Sequence, residues 1–239
     1  MSATVHPRIG PRRGAARAVR WWGKAWVRAV EESAYDDTDL RAGRTLARSG
    51  HVGQIWTHEG GFVASVEDET GVWTVSGSVP VLDDEAAEAL VETVAAEAGR
   101  VVALLAGDLP HGLVEHAEEA GVELLPYGGE LGTDCTCGAW VDPCPHALAV
   151  LYQLTWLMED DPFVLLQLRG LPRERLLARL HARTTGAPAH SCPDPEPEVG
   201  PGLGPGLEPD LDTGLDAALR AARILELAEH PDGSLDHLF

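Results

Sequence analysis

Three of the four cysteines in this chain lie within ten residues of one another, and a histidine follows them closely. They are Cys135, Cys137 and Cys144, and His146 completes a Cys-x-Cys…Cys-x-His pattern. Three thiolates and one imidazole fill a tetrahedral shell, which is the closed ligand arrangement of a structural zinc site. Sulfur ligands disfavour magnesium and calcium, so the pattern predicts zinc as the bound metal.

Two different elements must bring these ligands together. Residues two apart on an extended segment point to the same side, so a short strand or knuckle can present the first two cysteines to one ion. Apolar residues then recur at helical spacing from Ala147 to Met158, and Pro145 is favourable in the first turn of a helix. The last two ligands therefore lie at a helix N-terminus, where the dipole favours thiolates.

A disulfide is the alternative use of these cysteines. A bridge between Cys135 and Cys137 would be strained at that separation. The basic N-terminus is not followed by the apolar stretch of a signal peptide, so we expect a reducing, cytoplasmic location. Trp140 lies between the two ligand pairs and is predicted to shield the zinc, although presentation to a partner is the other interpretation.

The ligand pattern followed by an apolar helix resembles the SWIM zinc finger, which is named after SNF2-type ATPases and mutator-type transposases. The resemblance covers roughly residues 20–180. It includes the stretch from Arg41 to Val52 before the finger, and a Asp-Pro-Phe segment with an Arg-rich helix after it. The resemblance implies that the finger binds DNA or protein. It also implies that the protein is similar to bacterial companions of SNF2-family helicases.

Charge is distributed unevenly along the chain. The formal net charge is −20, yet residues 1–28 contain seven Arg or Lys and no acid. Residues 51–134 contain seventeen acids against one arginine, and the stretch from 186 contains eleven acids against two. An acidic body repels a phosphate backbone, so nucleic-acid contact must come from the basic arm or from the region around the finger.

Periodicity predicts an α+β fold for the body. Helices are expected at 19–33, with its tryptophans packed in the core, and at 40–49. Three strands at 54–58, 62–66 and 72–76 are joined by loops short enough for an antiparallel meander, and the acidic run of the second loop is interpreted as solvated. The remaining predictions are a helix at 85–98 ended by Gly99, a strand at 101–105, a helix at 109–120 and a strand at 122–125.

The predicted organisation has six parts. A basic flexible arm (1–18) precedes the α+β body (19–134), and the finger with the following Arg-rich helix occupies 135–184. A Pro/Gly-rich linker (185–209), an amphipathic helix on that tether (210–230) and a tail (231–239) complete the chain. Cys192 lies in the linker and is predicted to be a free thiol. No apolar run reaches the length of a transmembrane helix.

The function predicted from these features is a non-enzymatic, zinc-binding adaptor that interacts with a protein, for which an SNF2-family helicase is the suggested partner. Nucleic-acid binding is the alternative. The residues predicted to contact a partner or nucleic acid are all arginines from the basic arm, the second helix and the Arg-rich helix: Arg12, Arg13, Arg44, Arg48, Arg173, Arg175 and Arg179. The sequence predicts no oligomeric state.

Overall fold

The structure is a computed structural model that describes residues 3–13 and 18–186. Helices and strands are mixed in this part of the chain, as predicted. The strands are β1 (Thr4–His6), β2 (Val52–His58), β3 (Gly61–Asp68), β4 (Gly71–Ser78) and β5 (Gly132–Cys135). The α-helices are α1 (Trp21–Ser33), α2 (Asp37–Ser49), α3 (Asp84–Ala95), α4 (Ala98–Leu105), α5 (His111–Glu119), α6 (Pro145–Asp160), α7 (Phe163–Leu168) and α8 (Arg173–Gly186).

The strands form one antiparallel sheet in the order β1-β2-β3-β4-β5. The predicted meander is its centre, and both of its hairpins have two-residue turns, since His58 pairs with Gly61 and Asp68 with Gly71. One face of β3 alternates strictly, with Phe62, Ala64 and Val66 buried. This alternation fixes the register, because a shift by one residue would expose the whole set.

Helix α1 is held against the core by its tryptophans, as predicted. Trp22 and Trp26 are almost fully buried. Their indole N–H groups donate to the carbonyls of Met158 at 2.9 Å and Leu151 at 3.1 Å. A buried indole needs such a partner, so these two bonds fix α1 along the length of α6.

Helix α6 is the centre of the molecule. Every residue from Ala147 to Trp156 is buried, and the helix contacts α1, α2 and the sheet. A helix with apolar residues on every face is stable only when other elements cover each face. Its approach to α2 is close enough to require glycine, because a Cβ at Gly43 would lie 2.6 Å from the Cβ of Leu148.

Two predicted strands are wrong. Residues 101–105 belong to helix α4, and residues 122–125 are irregular. A short apolar run such as Val-Val-Ala-Leu-Leu has no periodicity that separates a buried strand from a helix. The predicted stop at Gly99 is wrong as well, because α3 ends at Ala95 and Gly99 lies in the first turn of α4.

The N-terminal arm differs from the flexible segment that was predicted. Residues 4–6 form β1, which extends the sheet by pairing with β2. Further along, the backbone N–H of Arg12 donates to the carbonyl of Arg48 at 3.0 Å. Basic residues of the arm are therefore attached to the folded body.

The predicted C-terminal features lie almost entirely outside the described residues. These are the linker beyond Gly186, the amphipathic helix at 210–230 and Cys192. Among the residues that the structure describes, no helix is long and apolar enough to cross a membrane.

Candidate metal centre

The four predicted ligands are brought together by a strand, a turn and a helix start. Cys135 is the last residue of β5, and Cys137 lies in the turn that follows it. Cys144 is the N-cap residue of α6, and His146 lies in the first turn of that helix. Among the described residues, this is the one group of three or more His, Cys, Asp or Glu side chains close enough to hold a metal ion.

The distances between the ligand atoms suit one tetrahedral ion. All four lie within 4.8 Å of one another. The Sγ atoms of Cys137 and Cys144 are 3.7 Å apart, and Nδ1 of His146 lies 3.9 Å from the Sγ atoms of both Cys135 and Cys144. Zinc–sulfur bonds of about 2.3 Å in a tetrahedron place two sulfurs roughly 3.8 Å apart. The cluster therefore has the dimensions of a four-coordinate zinc site.

Backbone pairing sets the position of the first two ligands. Cys135 pairs with Val75 at the end of the β4–β5 ladder. Thr136 extends that ladder, because its N–H donates to the carbonyl of Thr74 and its hydroxyl accepts from the N–H of Thr74. Gly138 then reverses the chain with a φ of 67°, a conformation that favours glycine. The turn consequently directs both cysteines toward the helix.

The start of α6 sets the position of the other two ligands. Pro145 occupies the first helical turn, where its missing N–H leaves no bond unmade. Cys144 is 2% exposed, and its side chain makes no capping hydrogen bond, so its sulfur is left for the metal. Desolvation, followed by the neighbouring thiols, raises the pKa of Cys135 to about 12. A bound cation reverses that balance, because zinc holds its cysteine ligands as thiolates.

A carboxylate orients the histidine ligand. Nε2 of His146 is hydrogen-bonded to Oδ2 of Asp68 at 2.9 Å, while Nδ1 faces the sulfurs. If Nδ1 binds the metal, Nε2 carries the proton and donates a hydrogen bond to Asp68. A carboxylate in this position fixes the tautomer and the ring orientation of a zinc-bound histidine. The interpretation of this acidic turn as merely solvated is therefore wrong for Asp68.

Asp68 is itself held by the turn between β3 and β4. Its Oδ1 accepts from the N–H and the hydroxyl of Thr70, the N–H of Gly71 and the indole N–H of Trp73, at 2.6–3.1 Å. The bonds from Thr70, together with that to His146, hold the pKa of Asp68 well below its usual range. Asp68 therefore stays ionised and links the sheet to the metal centre.

Trp140 does not shield the metal centre. The side chain is 81% exposed, which makes the prediction of shielding wrong. Its ring packs edge to face against the exposed ring of Tyr35, with the centroids 5.1 Å apart. Sequence reasoning did not single out Tyr35, which is far from the finger in the chain and lies just after α1.

The arginines of α8 lie beside acids. Arg175 contacts Glu59 at 2.6 Å, and Arg179 lies 3.6 Å from Glu88. Arg183, further along the helix, is hydrogen-bonded to two acids of α3. Arg173 differs, since its guanidinium lies over the ring of Phe163. The most basic helix that the sequence offers is thus largely neutralised by its neighbours.

The arginines predicted on the arm and on α2 form a second group. The Arg12 guanidinium lies 4.3 Å from the centroid of the Trp156 ring, and that of Arg44 lies 5.4 Å from the ring of Tyr152. Nε of Arg48 donates to the carbonyl of Arg44. Arg13 is exposed. The structure therefore separates the predicted contact residues into two regions.

Comparison with known proteins gives a match at the metal centre. Residues 120–154 match the family model of the SWIM zinc finger. All four cluster residues lie within the matched stretch, and the Cys3His cluster is consistent with zinc binding. The ligands fill the coordination shell, which is typical of zinc that holds a fold together.

A protein relative extends beyond the finger. The uncharacterized protein Rv2102 of Mycobacterium tuberculosis is 30% identical over 175 residues, which cover 72% of this chain and 63% of that protein. The chain thus spans a little less than two thirds of the relative's length. No solved structure matches the chain.

Proposed function

We propose that this protein is a non-enzymatic adaptor whose zinc finger presents a surface to a protein partner. The observation that carries the proposal is the pair formed by Trp140 and Tyr35, which are 81% and 67% exposed. Tryptophan and tyrosine are enriched among the residues that dominate binding energy in protein interfaces. Here the zinc ligands on both sides of Trp140 hold its loop in place.

The ligand set supports the non-enzymatic part of the proposal. A catalytic zinc ion keeps one coordination position for water or substrate. Three cysteines and one histidine would occupy all four positions of a tetrahedral ion in this cluster. The zinc then has the role of fixing the loop that carries Trp140 against β5 and α6.

The partner class that we propose is an SNF2-family helicase, on the basis of the resemblance of the chain to bacterial SWIM proteins. The experiment is affinity capture from the native host with the wild-type chain and with Trp140→Ala. We expect the helicase to be enriched by the wild type and reduced by about thirtyfold or more by the variant, as for a buried tryptophan anchor.

Trp56→Ala is the matched control, because Trp56 is also exposed (48%) but lies on the outer face of the sheet. Zinc content is measured for each protein by elemental analysis. Equal capture by all three proteins at full zinc occupancy would remove the aromatic pair from the interface. Capture in which no helicase is enriched would contradict the partner class.

Nucleic-acid binding is the second proposal, and the structure supports it less well. The α8 arginines that would contact phosphates lie beside Glu59, Asp84, Glu88 and Glu92. Arg12, Arg44 and Arg48 lie close together on the arm and α2, which favours binding of an anion there and not on α8. A gel shift at low salt tests the proposal, since phosphate contacts weaken steeply as salt increases.

A further inference from the structure

A cavity of about 620 Å³ lies between α1 and α2 and is floored by α6. This cavity, which we name the α1–α2 groove, is within the volume range of ligand pockets. The residues that line it are Ala18, Lys24, Val27, Arg28, Glu31, Arg44, Ala47, Arg48, Tyr152, Thr155 and Trp156. The groove is separate from the zinc ligands, none of which lines it.

The α1–α2 groove is positively charged in a strongly acidic protein. Its lining contains four cations and a single acid, whereas the whole chain has a net charge of −20. The one acid, Glu31, is hydrogen-bonded to Arg44, and Arg28 is paired with Glu32 outside the lining, so the cations still exceed the acids. Lys24 is exposed and forms no ion pair in the described structure. A concave surface of one sign concentrates the field and attracts ligands of opposite charge.

The floor of the groove is apolar and its aromatic faces are covered. Trp156 is 5% exposed and lies under the guanidinium of Arg12, and Tyr152 is 6% exposed. Bases of a single strand therefore find no open ring to stack on. Val27 and Ala47 contribute further apolar surface. An occupant must place apolar groups on this floor and anions at the rim.

The polar contacts to an occupant must come from the rim of the groove. The hydroxyl of Tyr152 is closed to solvent below the floor, and the Arg44 guanidinium lies 5.4 Å from the centroid of the Tyr152 ring. The carboxylates of an occupant would therefore be held by the rim cations, of which Lys24 is exposed.

We propose that the α1–α2 groove binds a segment of the partner protein in which carboxylates flank a row of apolar side chains, as in an acidic amphipathic helix. Such a segment matches both the apolar floor and the cationic rim. This inference rests on the proposed adaptor function and names a second contact, in a groove that none of the zinc ligands lines, together with its chemistry.

Peptide binding by the full-length chain is the direct test. The probe is a labelled helical peptide of about 18 residues with Leu on one face and Glu on both flanks, measured by fluorescence anisotropy. The same peptide with Lys in place of Glu and an oligothymidylate of equal length are the comparison ligands. We expect the acidic peptide to bind tightest, with an affinity that falls as salt increases.

Two charge reversals locate the binding. Lys24→Glu changes the groove, and Arg41→Glu makes the same type of change at an exposed position of α2 outside it. We expect the first to weaken peptide binding about tenfold and the second less than about twofold, because close charges at an interface act locally. Adding Arg28→Glu to Lys24→Glu should weaken binding further.

Three results would overturn the inference. Equal weakening by Lys24→Glu and Arg41→Glu would show that the attraction is not local to the groove. Equal affinity for the Glu and Lys peptides would remove the charge argument. Tighter binding of the oligothymidylate, lost in Lys24→Glu, would assign the groove to nucleic acid.

The outcome is separable from that of the adaptor function. If Trp140→Ala abolishes partner capture while Lys24→Glu changes neither capture nor peptide binding, the groove proposal fails and the adaptor proposal stands. If Lys24→Glu weakens peptide binding while Trp140→Ala leaves capture unchanged, the groove is supported and the finger is not the partner's contact.

Discussion

The two ends of helix α6 are held in place by different kinds of interaction. At the N-terminal end, Cys144 and His146 lie close enough to Cys135 at the end of β5 and Cys137 in the next turn to bind one metal ion together. From Ala147 to Trp156 the same helix is mostly apolar and is buried on every side. Coordination depends on four atoms and an ion, whereas burial is distributed over many side chains.

The finger is structurally part of the body, because helix α6 belongs to both. The sequence suggested a boundary at 134/135, with the finger acting as a clip on a separate domain. In the structure the finger contributes its strand to the sheet and its helix to the core. A substitution of a metal ligand at the N-terminal end of α6 should therefore lower the free energy of unfolding by the amount that zinc binding contributes. A substitution further along the helix should lower it only by the contribution of the buried side chain that is removed.

Loss of the metal should have the largest effect. Zinc binding to such a site supplies an apparent free energy on the order of 10 kcal/mol, which is comparable with the stability of a domain. We expect Cys144→Ser or a chelator to lower Tm strongly, and hydrogen exchange to show β5 and the ligand loop losing protection before the middle of α6 does.

Cys192→Ser is the control for this prediction, because it removes the one cysteine outside the cluster. It should leave zinc content and Tm unchanged. Full zinc occupancy in Cys144→Ser by elemental analysis would contradict the ligand assignment.

A cavity in the buried part of α6 should have the next largest effect. Leu151 is fully buried, so Leu151→Ala should lower the free energy of unfolding by about 2–5 kcal/mol. Zinc content should not change, which separates the two ends of the helix. Leu157→Ala, at a partly buried position of α6, should cost clearly less in urea unfolding. Equal losses for the two variants would contradict the central role of α6.

Removal of the charge on Asp68 should have an intermediate effect that is confined to the metal. Asp68→Asn keeps a side-chain oxygen for the turn but replaces the carboxylate that accepts from His146. We expect zinc affinity, measured by competition with a chromophoric chelator, to fall about 10- to 100-fold. Glu69→Gln, an exposed acid in the same turn, should leave the affinity unchanged.

Truncation of Trp140 should have the smallest effect on stability. An exposed side chain far from buried features contributes within about 0.5 kcal/mol, so Trp140→Ala should unfold at nearly the wild-type temperature with its zinc retained. Trp26→Ala removes a fully buried ring and should cost about 3–5 kcal/mol. Strong destabilisation by Trp140→Ala would restore the shielding role for this residue.

The predictability of the metal centre depends on distance along the chain. Ligand types and spacing within Cys135–His146 predict the site, because strand and helix periodicities act over a few residues. Asp68 is beyond such reasoning, since its bond to His146 spans 78 residues and exists only once β3 and β4 have formed. The exposure of Trp140 depends likewise on Tyr35, which is distant in the sequence.

The same dependence on distance along the chain explains which predictions of the fold are confirmed and which are wrong. The alternation in β2–β4 and the tryptophan spacing in α1 are strong local patterns, and both predictions are confirmed. Residues 101–105 are too few to show a period, so their helical conformation depends on packing against neighbouring elements. The cations of the α1–α2 groove come from separate helices. The contact residues predicted from the sequence therefore include Arg44 and Arg48 but not Lys24 and Arg28.

The order of the ligands along the chain has a consequence for biosynthesis. Strand β4 ends at Ser78, whereas its neighbour β5 begins only at Gly132, so the ribosome completes the meander well before the first cysteine ligand is made. Contacts between such distant segments form slowly and leave hydrophobic surface exposed in the interval. We expect the nascent chain to need a chaperone until α6 emerges, and zinc supply to set how quickly that dependence ends.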